Sequence, residues 1–275
     1  MIMEDIRVAA VMMRSAIGNK VENLSRMEIR VRQAAQQGAQ VVCFPELNIC
    51  GYSLRKSQES LAETIPGPSS EAVWQMAQKN EVLILAGLVE RSKEDGFFIS
   101  HFAAGPEGIL GVYRKIHLGT PEEGIYRPGK ECPLFRYRGM AFGIELCFDG
   151  HFPELSTALA VKGAEVIFIP HASPRESGEE KEERWLRYLS ARAYDNSVFL
   201  VACNPMGETE NGFAFPGAAV VLDPKGEILA ANRGKEEEII LADLSKDTLL
   251  RVRGNPHGFF LKKRRPEVYR GWDFS

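Results

Sequence analysis

The sequence has no C-x-x-C pair, and its five cysteines, Cys43, Cys50, Cys132, Cys147 and Cys203, are an odd number scattered over 275 residues. That argues against a disulfide framework and a cysteine-rich zinc site, and predicts a reduced, cytoplasmic chain. Net charge is also scarce. With 34 basic residues against 37 acidic and both signs interspersed, no broad cationic field exists to hold nucleic acid or an anionic membrane surface, so neither is an expected partner. No apolar run is long enough to span a bilayer. The first one, inside M-I-M-E-D-I-R-V-A-A-V-M-M, follows acids instead of a cationic segment and is predicted to be a first strand. No long Pro/Gly/Ser-rich linker and no fixed-period repeat divides the chain. The densest basic run, Lys262 to Arg265, is followed by Pro266 and is expected to be solvated or paired at an interface.

What the chain does contain is an ordinary globular composition, 44% hydrophobic and 26% charged, which excludes a disordered segment, a collagen-like fibre and a coiled-coil rod. Its length supports a sizeable core in one large or two ordinary domains. Apolar runs of strand length recur at 6–13, 40–44, 82–89, 97–103, 109–113, 140–146, 165–169 and 198–202, many apolar throughout as in sheets buried on both faces. Helical patterns lie between them. Val21, Leu24, Met27, Val31 and Ala34 share a face that stops near Gly38. A second helix is expected from Pro153 to Gly163. A third opens on Ser177 and Glu180 in capping-box spacing and carries Trp185, Leu186, Leu189 and Ala193. Residues 212–229 read as a hairpin turning at Asp223-Pro224-Lys225-Gly226, and 239–242 as a further edge strand. The interleaving predicts one α/β domain over 1–275, built on a mixed sheet or two packed sheets.

Three strand ends carry chemistry. Glu46, in Phe44-Pro45-Glu46-Leu47, follows the apolar run 41–43, where α/β folds place their ligands. Arg114 and Lys115 close the strand before Ile116-His117-Leu118; successive residues of an extended chain point to opposite faces, so one can enter a site while the other meets solvent. Cys147 sits where a strand turns through Phe148, Asp149 and Gly150 into the helix at Pro153, a position expected to favour the thiolate. A thiol attacking an amide carbon needs a base for its proton and positive charge where the carbonyl oxygen becomes negative. Glu46, Lys115 and Cys147 supply those parts.

F-P-E-L, Y-R-K-I-H-L, Y-R-P-G and G-I-E-L-C-F-D-G-H-F-P-E, in this order and at these spacings, resemble the nitrilase, or carbon-nitrogen hydrolase, superfamily, and the likeness runs from the first strand to the tail F-L-K-K-R-R-P-E-V-Y. The resemblance implies an α-β-β-α sandwich that pairs with a second copy into a homodimer, with the tail from about 255 to 275 at the interface. It implies Glu46 as general base, Lys115 as oxyanion stabiliser and Cys147 as nucleophile, with the backbone N–H of Phe148 sharing the oxyanion. A second glutamate six residues before the proline of the P-G motif falls on Glu122, with Glu123 as fallback. No metal or organic cofactor is required by that chemistry.

Three departures from the family pattern mark the pocket. His151 stands where many relatives have arginine. Glu145 lies two residues before Cys147 in an apolar strand and, by alternation, on the thiol's side. In the loop 171–177, His171 is expected to donate to a substrate carbonyl and Arg175 to bind a substrate carboxylate. The function expected is hydrolysis of a small linear amide through a cysteine thioester, releasing ammonia. N-carbamoyl amidohydrolysis stands close behind, nitrile hydrolysis further. Two readings of other kinds are papain-like chemistry on His117, His151 or His171, and a ligand-binding protein that keeps the fold.

Overall fold

Alternate residues of the central strands face two different cores, which is why those strands are apolar throughout. In β8 (Val166–Pro170), Val166 and Phe168 join one apolar cluster while Ile167 and Ile169 join another. Val201 and Cys203 against Leu200 and Ala202 in β9 (Phe199–Glu208) divide the same way, as do Ala219 and Val221 against Val220 and Leu222 in β10 (Ala214–Leu222). One cluster lies between two stacked sheets and the other beneath helices.

The structure is a computed structural model describing residues 3–54, 58–92, 96–174, 176–209, 212–234 and 236–269. The first sheet comprises β1 (Ile6–Met12), β2 (Val41–Cys43), β3 (Leu83–Ser92), β4 (Gly96–Gly105), β5 (Gly108–Arg114) and β12 (Glu238–Leu244), in the order β12-β1-β2-β3-β4-β5. The second adds β6 (Phe135–Tyr137), β7 (Met140–Ile144) and β11 (Ile228–Asn232), in the order β11-β10-β9-β8-β7-β6. Each sheet has three parallel strands at its centre, β1-β2-β3 and β7-β8-β9, flanked by antiparallel pairs. Helices α1 (Lys20–Gln36) and α2 (Pro68–Asn80) cover the first sheet, and α3 (Pro153–Val161) and α4 (Gly178–Asn196) cover the second. The result is an α-β-β-α sandwich; α5 (Lys246–Gly254) and α6 (Pro266–Tyr269) follow. Among the described residues no helix is long and apolar enough to cross a membrane.

Local chemistry sets the helix boundaries. At α4 the Ser177 Oγ accepts from the Glu180 N–H while the Glu180 carboxylate accepts from the Ser177 N–H, the capping box expected there. The hairpin turn also forms, with Asp223 Oδ1 accepting from the Lys225 and Glu227 amides. One expectation is corrected. Val21 is 81% exposed, and the buried face of α1 is Asn23, Met27, Val31 and Ala34. Asn23 takes the inner position because its amide ties Ala16, through both N–H and C=O, to Ile49 O. The expected edge strand also forms: β12 crosses to the sheet opposite the 212–229 hairpin and pairs antiparallel with β1 at its edge, Val8 opposite Ala242.

The sheets meet closely near the carboxyl ends of β2 and β8 and the middle of β9. Cys43 Sγ lies 4.0 Å from Cys203 Sγ across the sandwich, and the Glu46 N–H donates to His171 O at 3.1 Å. The segments following β2, β5, β7 and β8 therefore converge from both sheets on one place.

Candidate active site

Lys115 enters this place from the end of β5. Its neighbour Arg114 points the other way, pairing with Glu90 at 2.6 Å and lying over the Phe98 ring, as strand alternation requires. Gly129 pins the lysine's backbone, donating its N–H to Lys115 O at 2.7 Å. A Cβ at that glycine would stand 2.2 Å from Arg114 O, so only glycine allows the approach. The Lys115 ammonium, 1% exposed, reaches Glu46 Oε1 at 2.8 Å and Glu122 at 2.9 Å. Glu122 is buried whereas Glu123 is exposed. Its carboxylate also accepts from the Gly119 N–H at 2.8 Å and from the Tyr52 hydroxyl at 3.4 Å. Glu46 Oε2 is buried and, among the described residues, has no hydrogen-bond partner.

Cys147 opens a 3-10 turn, Cys147–His151, with φ of +46°. An L residue in that region carries local strain and needs surrounding structure to hold it. Asp149 provides it: Oδ2 accepts from Tyr113 OH at 2.6 Å and Leu146 N at 3.0 Å, and Oδ1 from His117 N at 2.8 Å. The Ala172 amide lies on the sulfur's side and favours its negative form. Burial and the adjacent Glu46 charge push the thiol up to about 12, outweighing Lys115 and this amide. The expected thiolate is corrected: α3 starts only at Pro153, and the Glu46 and Glu122 carboxylates oppose a second negative charge beside them. Burial also pushes Glu46 up to about 7, with Lys115 opposing, while its two carboxylate neighbours hold Lys115 well above the ordinary lysine value. A neutral thiol thus faces a carboxyl poised near neutrality and a permanent cation.

The model of one family, carbon-nitrogen hydrolase, matches residues 7–253. The chain belongs to that family. Among its relatives, a nitrilase of Pyrococcus abyssi is 33% identical, covering 96% of this chain and 99% of its own, and an N-carbamoylputrescine amidase of Solanum lycopersicum is 30% identical over 90% and 88%. A solved structure of a glutamate-to-leucine variant of the amidase from Nesterenkonia sp. AN1, which shows the acetamide moiety of fluoroacetamide added covalently at the active site cysteine, superposes with a TM-score of 0.82 at 25% identity, covering 98% and 97% of the two chains. This carbon-nitrogen hydrolase is an enzyme of C–N bond hydrolysis with the family's sandwich.

Not all the predicted site residues of the carbon-nitrogen hydrolase come together. Glu46, Lys115, Glu122 and Cys147 do. Phe148 is second in the 3-10 turn, where amides precede the first intrahelical bond. His171 contributes its backbone carbonyl to Glu46, but its side chain departs from expectation: Nδ1 meets Ile169 O at 2.7 Å, Nε2 meets Tyr188 OH at 3.2 Å, and the ring packs on Trp185. Burial holds it neutral and turned toward α4. His151 lies against Tyr188 and Phe148, and His117 stacks on Phe152 with Nδ1 at Asp149. Among the described residues none of these three histidines hydrogen-bonds Cys147, so the papain-like arrangement is not formed. Glu145 also departs from expectation. Strand β7 ends at Ile144, alternation does not carry through the turn, and Glu145 accepts from Ser156 of α3 at 2.7 Å. Arg175 lies outside the described residues.

The sequence reading assigned no role to Tyr52, Asp149, Asn204 or Lys181. Asn204 clamps Ser173 through its N–H and C=O, and buried Lys181 holds Ser173 Oγ at 2.8 Å and Glu176 at 2.7 Å. These bonds set the loop whose Ala172 amide addresses the sulfur. Asp149 lay within the nucleophile motif and was legible; the other three stand in segments without a local signal.

Proposed function

We propose that the protein is an amidase that hydrolyses small linear amides through a Cys147 thioester and releases ammonia. The observation that carries this reading is the Lys115 ammonium bridging two buried carboxylates at 2.8 and 2.9 Å beside a protonated thiol. An ammonium has three N–H donors; two are used on Glu46 and Glu122, and the third serves an oxyanion together with the Phe148 amide.

As the sulfur attacks the carbonyl carbon, its proton passes to Glu46, whose Oε2 is free to accept it. The tetrahedral intermediate collapses as Glu46 returns the proton to the departing nitrogen and ammonia leaves. Water then attacks the thioester, giving a proton to Glu46, and the carboxylic acid departs as Cys147 is reprotonated. Glu122 orients the ammonium throughout. A second reading, N-carbamoyl amidohydrolysis, is favoured by the 30% likeness to the Solanum amidase and uses the same steps on a ureido carbon. We also propose a homodimer whose interface includes the tail. What supports it is the exposure of Phe260 and Tyr194, which pack together at 5.5 Å, beside the exposed run from Lys262 to Arg265.

The test is ammonia release from simple amides, N-carbamoyl amines, N-carbamoyl amino acids and nitriles, with Cys147→Ala as control. Turnover of amides that vanishes in the variant is expected. Turnover of nitriles or carbamoyl compounds alone, or equal activity in Cys147→Ala, would overturn the reading.

A further inference from the structure

A cavity of about 210 Å³ runs from the surface to Glu46 and Tyr52, between the segment after β1 and the outer ends of β9 and β10. Ile17, Met206 and Phe215 form its apolar wall. Four charged residues stand nearer the mouth: Arg14, Glu22, Arg26 and Glu208. Two of them neutralise each other. Glu22 bonds Asn19 with one oxygen and Arg26 with the other, and Arg26 also meets Glu237 at 2.9 Å. The other two are free: among the described residues, neither the Arg14 guanidinium nor the Glu208 carboxylate has an ion-pair or hydrogen-bond partner, and they do not pair with each other.

Their separation is built in. Met206 N bonds Met13 O at 3.1 Å, fixing the end of β9 against the end of β1. The Arg14 stem then lies on the backbone of Gly207, where a Cβ would come within 2.8 Å of Nε. Gly207, with φ of +85°, leaves room for the Arg14 stem, and Glu208, the next residue, lines the same cavity. One unpaired cation and one unpaired anion sum to zero, which favours a ligand end bearing both charges over one bearing either alone.

We propose that Arg14 and Glu208 form a zwitterion-reading subsite, so that the substrate is an α-amino acid whose side chain ends in the carboxamide or ureido group that Cys147 attacks. This rests on the amidase reading above. The substrate carboxylate pairs with Arg14, its ammonium with Glu208, and a short aliphatic stem crosses the wall of Ile17, Met206 and Phe215.

The experiment measures kcat/KM for ammonia release from four amides of similar length: glutamine (both charges), glutaric acid monoamide (carboxylate only), 5-aminopentanamide (ammonium only) and butyramide (neither). Glutamine is expected to lead each singly charged analogue by roughly tenfold, the value of one charge-assisted contact. Arg14→Ala should collapse the gap between glutamine and 5-aminopentanamide, and Glu208→Ala the gap between glutamine and glutaric acid monoamide. A parent that prefers butyramide or a singly charged amide, or gaps unaltered in both variants, overturns the subsite and leaves the amidase reading standing. No ammonia from any of the four overturns the amidase reading itself. Both substituted side chains are exposed, and unchanged thermal midpoints would tie the altered ratios to the subsite and not to unfolding.

Discussion

Replacing Glu145 by glutamine should stabilise this protein at alkaline pH and do little at acid pH. The Glu145 carboxyl is fully buried; one oxygen accepts from Ser156 Oγ at 2.7 Å and the other has no partner among the described residues. Burial pushes it from 4.5 up to about 8, with the Ser156 bond opposing and the Asp149 charge adding to the rise. The folded group binds its proton more tightly than the unfolded one, so its contribution is fully present below 4.5 and is lost as pH climbs through 8. That displacement corresponds to ~5 kcal/mol across the range as a ceiling, a large share of the stability of an ordinary domain. Glutamine keeps the shape and the acceptor of the neutral acid and cannot ionise. Urea unfolding of parent and Glu145→Gln at pH 5, 7 and 9, at one protein concentration, measures the difference directly. The other titrating groups are common to both proteins and cancel. The variant should lie within about 1 kcal/mol of the parent at pH 5, as volume-conserving changes do, gain on it as pH rises from 5 to about 8, and hold that lead at pH 9. Parallel stabilities from pH 5 to 9 would refute a neutral Glu145 and the burial argument behind it.

Three further outcomes follow from the site. Glu46 works as a carboxylate and is pushed up to about 7, so kcat/KM should rise through that pH; Glu46→Gln should cost roughly 100- to 10,000-fold and abolish that limb. Lys115→Met strands Glu46 and Glu122 in the interior without their cation, an expected loss of about 3–5 kcal/mol. Denaturant titration should show a larger loss at pH 8 than at pH 5, where Glu46 escapes by protonation. Gly129→Ala places a methyl 2.2 Å from Arg114 O and displaces the Lys115 backbone; a shift near ~1 Å costs about 100-fold in kcat, and a parent-like kcat would show that this contact does not position the lysine.

Much of the architecture was readable because burial on two faces writes itself as continuous apolar runs, and eight of the twelve strands among the described residues stand where such runs occur. Helix α2 was equally legible in principle: Pro68 at its first turn and Val73, Met76 and Ala77 on its buried face are ordinary signals that passed unread. β6, with three residues, is too short to carry a periodicity. At the site, Glu46, Lys115 and Cys147 could be picked out because each follows a strand end, and the family resemblance pointed to Glu122 ahead of its neighbour Glu123.

The linear order of residues by itself determined which groups are available: a carboxylate, an amine and a thiol at three strand ends, two glycines where chains press together, and a serine that caps α4. Tertiary structure decided what those groups are. Protonation depends on which charges share a desolvated space, and Glu46, Lys115 and Cys147 are separated along the chain by scores of residues, so no local rule could show that the thiol rests protonated. The same holds for Glu145, which alternation assigned to the thiol's side until the turn at Cys147 broke the strand. It holds too for Arg14 and Glu208, whose shared cavity exists only where the ends of β1 and β9 meet.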